Sequence, residues 1–184
     1  MNINEQIAAR VRHLRVAHDL SLEGLAERSG VSRSMISLIE RGETSATAVV
    51  LEKLAAALGI TLAALFEPPA GSAAPLMRRA DQAVWRDPDS GYLRRNVSPS
   101  GTLTPIQIVE VDFPAGAHVA YETGSREPAA HQQVWVLEGQ IDVTVGDEQH
   151  SLQDGDCLAF VLDRPTAFRN RTRKTARYAV VIVS

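Results

Sequence analysis

Along the first third of the chain, apolar residues return every three or four positions with polar residues between them, the period of helices that bury one face. Ile7, Val11 and Leu14 predict a first helix reaching about His18. Ser21 precedes a second such run, which carries Gly24 inside it, and Ser32 precedes a third. A serine in that place accepts a hydrogen bond from a free N–H of the first turn, so both are expected N-caps. Thr47 opens a fourth helix with Leu51, Leu54, Ala55 and Leu58 on one stripe. Gly59 is placed to end it, and Thr61 to cap a short fifth helix reaching Phe66.

The pattern then breaks. Pro68 to Pro75 (PPAGSAAP) has neither charge nor periodicity and reads as a linker. From Val84 onward the period is two, with short turns between. Strands are expected over Ile106–Val109, ended by Pro114 and Gly116, and over Gln133–Leu137, Ile141–Val145, Cys157–Leu162 and Ala176–Val183. The expected architecture is α+β in two domains: a five-helix bundle over 1–67, a linker over 68–76, and an all-β barrel or sandwich over 77–184. No internal repeat interrupts this division.

Composition narrows the class. With 45% hydrophobic and 22% charged residues the chain reads as an ordinary globular protein, and no apolar run approaches the ~18 residues of a spanning helix. No membrane association is therefore expected. Glu5, Arg10 and Arg12 run through the first apolar pattern, which excludes a signal peptide there. The single cysteine, Cys157, has no intrachain partner and fits a reducing cytoplasm. It is expected to be a small buried hydrophobe. The formal net charge is −3, and residues 1–67 carry seven basic against eight acidic residues. Any affinity for nucleic acid must then come from a local patch, with a dimer to strengthen it.

The stretch Leu22–Arg41 carries the parts of a helix-turn-helix. Ala26 is small where two helices cross, Gly30 sits at the turn, and Val31, Ile36 and Ile39 pin the second helix against the first. In such a unit the leading end of the second helix meets base edges in the major groove. Ser32, Arg33, Ser34 and Ser37 fall there, Leu38 can touch a thymine methyl, and Arg33 is the candidate for a bidentate contact to guanine. Arg41, Gly42, Thr44 and Ser45 follow in a loop suited to phosphate contacts, and Ser21 joins them at the start of the preceding helix. Residues 7–66, including SRSMISLIERGETSAT, resemble the Cro and phage-repressor helix-turn-helix, the XRE-like family with the lambda-repressor fold. That resemblance implies a pair between Arg15 on the first helix and Glu40 near the end of the recognition helix, which makes Glu40 structural.

Residues from about 105 to 183 resemble a cupin, a small jelly-roll barrel, through PAGAH at 114–118, VWVLEGQIDVTVGDE at 134–148, LQDGDCLAF at 152–160 and PTAFRN ending at Asn170. The family's enzymes hold a divalent metal with two histidines and a glutamate on the first motif and a histidine on the second. Here Gln132 stands at the glutamate position, seven before Gly139, and Thr166 at the second-motif histidine. His131 faces away if Gln132 faces inward, and His118 and His150 fall in expected loops or turns. A metal-free barrel is expected, with no cofactor. No Ser-His-Asp order, phosphate loop or carboxylate pair stands out, so no catalytic residue is assigned.

The remaining role is a pocket, for which Tyr121, Gln133, Trp135, Phe160, Thr166 and Phe168 are the candidate lining, although Trp135 and Phe168 could equally fill the core. Arg126 and Glu127 suit a lid or a solvated loop, and Arg169, Arg171, Arg173 and Lys174 a surface turn. A helix-turn-helix joined to a cupin resembles a class of one-component transcriptional regulators. The expected protein is a homodimeric, sequence-specific binder of double-stranded DNA. Its operator should be an inverted repeat with half-sites ~34 Å apart, and its barrel should take a small-molecule effector. The alternatives are a metal-dependent cupin enzyme with an accessory helical domain, and an antitoxin-like interaction module.

Overall fold

The structure is a computed structural model and describes residues 2–67, 74–99, 101, 105–122 and 130–183. Most of the expected linker (68–73), and both Arg126 and Glu127, lie outside the described residues. Five helices come first: α1 (Ile3–Ala17), α2 (Leu22–Ser29), α3 (Arg33–Glu40), α4 (Ala48–Ala57) and α5 (Leu62–Leu65). Each starts where a side-chain oxygen accepts a first-turn N–H. On α1, Asn2 accepts from Glu5 N–H while the Glu5 carboxylate accepts from Asn2 N–H, both at 2.9 Å. Ser21, Ser32, Thr47 and Thr61 do the same for α2 to α5. The turn between α2 and α3 needs a left-handed residue, and Gly30 supplies it at φ 67°.

The buried faces follow the sequence periodicity. Ile7, Val11, Leu25, Ile36, Ile39, Leu51 and Leu54 close the helical core, each at most 3% exposed. Ala26 and Val31 pack at the α2–α3 crossing, where a larger side chain would push the helices apart.

A one-turn 3-10 helix at Arg79–Asp81 leads into ten strands: β1 (Val84–Arg86), β2 (Leu93–Asn96), β3 (Ile106–Phe113), β4 (His118–Tyr121), β5 (His131–Glu138), β6 (Gln140–Val145), β7 (Glu148–Gln153), β8 (Cys157–Val161), β9 (Thr166–Arg169) and β10 (Ala176–Val183). They form two antiparallel sheets, one ordered β1-β2-β3-β10-β5-β8 and the other β4-β9-β6-β7. Facing inner surfaces of two such sheets make the core of a jelly roll. The inward rows carry Val109, Val111 and Phe113 on β3, Val134 and Val136 on β5, Ile141 and Val143 on β6, and Tyr178, Val180 and Ile182 on β10.

Two expectations are corrected here. His118 opens β4 and His150 lies within β7, so neither is in a loop or turn. Cys157 is exposed, because the alternation of β8 turns it to the outer surface next to Trp135. The strand β3 starts at Ile106 and ends at Phe113, directly before Pro114, the residue expected to stop it.

Helices and barrel share one hydrophobic cluster. Phe66, just after α5, packs on Trp85 of β1 at 5.4 Å between ring centroids. Asp87, 2% exposed in the β1–β2 turn, accepts the N–H of Ala48 at 2.8 Å, so the barrel caps a helix of the bundle. Thr61 donates to Gln107 of β3 at 2.7 Å, and Gln107 donates to Glu67 at 2.7 Å. These contacts set the helices against the mouth of the barrel.

Candidate nucleic-acid interface and interdomain cavity

The leading end of α3 projects from the bundle. Ser32, Arg33, Ser34 and Met35 are exposed, while Ser37 and Leu38 are half-buried and Ile36 and Ile39 anchor the helix from behind. Ser21, Arg41 and Ser45 are exposed on either side, and Thr44 is half-buried. Met35, at 36% exposure, was not among the residues expected at this surface. Its place on α3, one before the buried Ile36, is the signal that turns it outward.

The helix is held in place by Arg15. Its Nε and Nη2 donate to the two oxygens of Glu40 at 2.7 and 2.9 Å, and its Nη1 donates to the carbonyl of Leu20 at 2.8 Å. Both side chains are mostly enclosed, at 14% and 7% exposure. The hydrogen bonds it donates to Glu40 hold the pKa of the Arg15 guanidinium above its ordinary value. One bidentate pair therefore joins α1 to the end of α3 and to the entry of α2.

The outward arginines have partners of their own. Arg33 lies 3.3 Å from Glu23 across an exposed pair, and Arg41 pairs with Glu43 at 2.7 Å and also contacts Ser37. Arg41 holds the Glu43 carboxyl below its usual range through its hydrogen bond.

The second feature is a cavity of about 60 Å³ as measured by the space open to a water-sized sphere. The barrel contributes Tyr92, Arg94, Tyr121, Gln132, Thr166 and Tyr178, and the helices contribute Glu52 of α4 with Thr61 and Leu62 of α5. A run of ring contacts leads into it: Phe66–Trp85, Trp85–Tyr92, Tyr92–Phe113, Phe113–Tyr178, Tyr178–Phe168 and Phe168–Tyr121, all within 6.2 Å between centroids. Tyr92 and Tyr121 share a hydrogen bond between hydroxyls at 3.1 Å. Burial raises the pKa of all three cavity tyrosines, well above the ordinary value for Tyr121 and Tyr178, so their hydroxyls remain protonated at neutral pH.

Of the six pocket residues expected from sequence, the structure brings Tyr121, Thr166 and Phe168 to this wall. Gln133 and Trp135 point the other way. Buried Gln132, Val134 and Val136 take the inner face of β5, and strand alternation leaves Gln133 and Trp135 outside, the latter 49% exposed. Phe160 pairs with Gln132 across β5–β8 and packs half-buried on the core, but it is not part of the wall. The sequence reading missed Tyr92, Arg94, Gln132 and Tyr178. For Gln132 and Tyr178 the apolar alternation of β5 and β10 was a usable signal. For Tyr92 and Arg94, on a short polar hairpin, there was none.

The metal expected of cupin enzymes does not fit these residues. Gln132 and Thr166, at the positions of two ligands, are neutral and face the cavity. His131 is on the outer face, opposite in phase to Gln132. Arg94 brings a positive charge to the same wall, which opposes a divalent cation. Among the described residues no three His, Cys, Asp or Glu side chains come together to hold one.

Two family models match the chain, the helix-turn-helix over residues 11–65 and the cupin domain over 110–183. The chain thus carries an XRE-type helix-turn-helix followed by a cupin domain. It is 26% identical over 181 residues to the HTH-type transcriptional regulator SutR of Escherichia coli, covering 98% of this chain and 96% of that one. It is 28% identical over 177 residues to the HTH-type transcriptional regulator PuuR of the same species, covering 91% and 89%. A crystal structure of an HTH_3 family transcriptional regulator from Vibrio cholerae superposes with a TM-score of 0.78 at 26% identity, over 99% of this chain and 97% of that one. Fe(II)-HppE superposes at 0.50 with 17% identity over the whole of both chains, a likeness of fold alone.

Proposed function

We propose that the protein is a DNA-binding transcriptional regulator in which α3 reads the major groove and the cavity takes a small effector. The observation that carries this reading is the exposed leading end of α3, set rigidly on the bundle by the Arg15–Glu40 pair. Arg33 is the base-reading residue, with Ser32, Ser34, Ser37 and Leu38 beside it. Ser21, Arg41, Thr44 and Ser45 contact phosphates and fix the register. The full-length likeness to proteins named as regulators supports this role over an enzymatic one.

A homodimer completes the reading. The outer face of the larger sheet carries Ile106, Ile108, Trp135 and Val183, all at least 37% exposed, in adjoining registers of β3, β10 and β5. Apolar side chains clustered on one face favour a second copy of the chain. Two copies related by a two-fold axis present two recognition helices to an inverted repeat, with half-sites about one turn, ~34 Å, apart. Footprinting the sites bound across the genome tests the proposal. Protected inverted repeats are expected, and protection without a shared sequence would overturn it.

A further inference from the structure

The effector reading leaves the ligand's chemistry open, and one residue narrows it. Arg94 is 6% exposed and lines the cavity, yet its Nε and Nη2 have no hydrogen-bond partner. The same two nitrogens on Arg15 hold a carboxylate bidentately in the helical domain. The guanidinium of Arg94 instead lies 5.4 Å from the centroid of the Phe66 ring, a face that accepts no hydrogen bond from its fork. An enclosed guanidinium with unfilled donors is costly, and a bound anion is the missing partner. The hydroxyls of Tyr92, Tyr121 and Thr166 and the amide of Gln132 line the same cavity, with Val180 and Ile182 to receive an apolar body. Glu52 of α4 lines it too, and an anion on Arg94 has to avoid that like charge.

Resting on the effector role proposed above, we infer that the cavity binds a small organic carboxylate, with its anionic head on Arg94 and its apolar body between the two sheets. Because Thr61 and Leu62 of α5 form part of the same wall, the ligand touches both domains. Its binding is therefore linked to how the helices sit on the barrel. Arg94 reaches the helical domain through Phe66, and Asp87 at the start of the same hairpin holds the first N–H of α4. An anion that draws the guanidinium changes a contact between the domains, and by reciprocity a change in docking alters the affinity for the anion.

The test measures binding of acetate, butyrate, benzoate and phenylacetate, and of the matching uncharged amides, to the full chain by calorimetry and thermal melting. At least one acid is expected to bind about tenfold or more tightly than its amide, since charge-assisted hydrogen bonds exceed neutral ones. Arg94→Gln should erase that preference and Arg94→Lys should keep part of it, the second serving also if the first does not fold. Acid binding should in addition slow amide hydrogen exchange in α4 and α5 as well as in the barrel. Equal binding of acids and amides would overturn the carboxylate assignment and leave the effector role standing. So would an acid preference that survives in Arg94→Gln. If neither series binds, both the assignment and the effector role fall. Protection confined to the barrel would overturn the link between the domains.

Discussion

Arg41 and Glu43 show how a single residue can restrain a binding surface. Their pair is exposed and contributes little to stability, but on the proposed reading it occupies a guanidinium meant for a phosphate. Replacing Glu43 with Gln is expected to raise DNA affinity about threefold or more at low salt, with the gain shrinking as salt screens the charges. An unchanged affinity in a salt titration would place Arg41 away from the phosphates. The opposite holds for Arg15 and Glu40, which are enclosed. Glu40→Ala strands a guanidinium and should cost about 3 kcal/mol of unfolding free energy, read by urea denaturation. The tyrosines give a third prediction. All three in the chain, Tyr92, Tyr121 and Tyr178, have pKa values raised by burial. A raised folded pKa means stability that is complete below the unfolded value of ~10 and lost as pH climbs above it. Tyrosinate absorbance should therefore appear only above pH ~10, together with unfolding. Absorbance rising earlier in the folded state would show an open cavity.

Among elements, the β1–β2 hairpin joins the two functions. Trp85 packs on Phe66, Asp87 caps α4, and Tyr92 and Arg94 enter the cavity. Asp87→Ala is expected to cost about 1–2 kcal/mol and to speed hydrogen exchange at Ala48, whose N–H loses its acceptor. Exchange unchanged at that amide would separate the hairpin from the bundle. The helices were legible in sequence because α2 to α5 each begin at a capping Ser or Thr, and every helix of any length follows with an apolar stripe. The hairpin was not, for its strands are three and four residues long and carry arginines on both faces. Trp135 was misplaced for a different reason. A bulky aromatic in an apolar strand suggests interior, but the small aliphatics Val134 and Val136 on either side hold the inner face and push it out. Seven of the nine aromatic residues form the run of rings into the cavity, and the two outside it are Trp135 and Phe160, both expected in its lining.

The whole molecule has to pair if two recognition helices are to reach one operator, and the outer sheet face is where pairing is proposed. Trp135→Glu places a charge on that apolar face and should shift the protein to monomers in sedimentation, with operator affinity falling as a consequence. A dimer that survives the change would move the interface elsewhere. The net charge of −3 gives no general attraction to DNA, and the proposed reading assigns discrimination to α3. The most direct measurement is fluorescence anisotropy of wild-type and Arg33→Ala protein on a footprinted operator and on a scrambled duplex, at moderate salt. The account predicts a clear preference in the wild type, and in the variant a loss of about 1–3 kcal/mol per half-site with the fold intact. Equal binding of both duplexes by the wild type, or an undiminished preference in the variant, would contradict it.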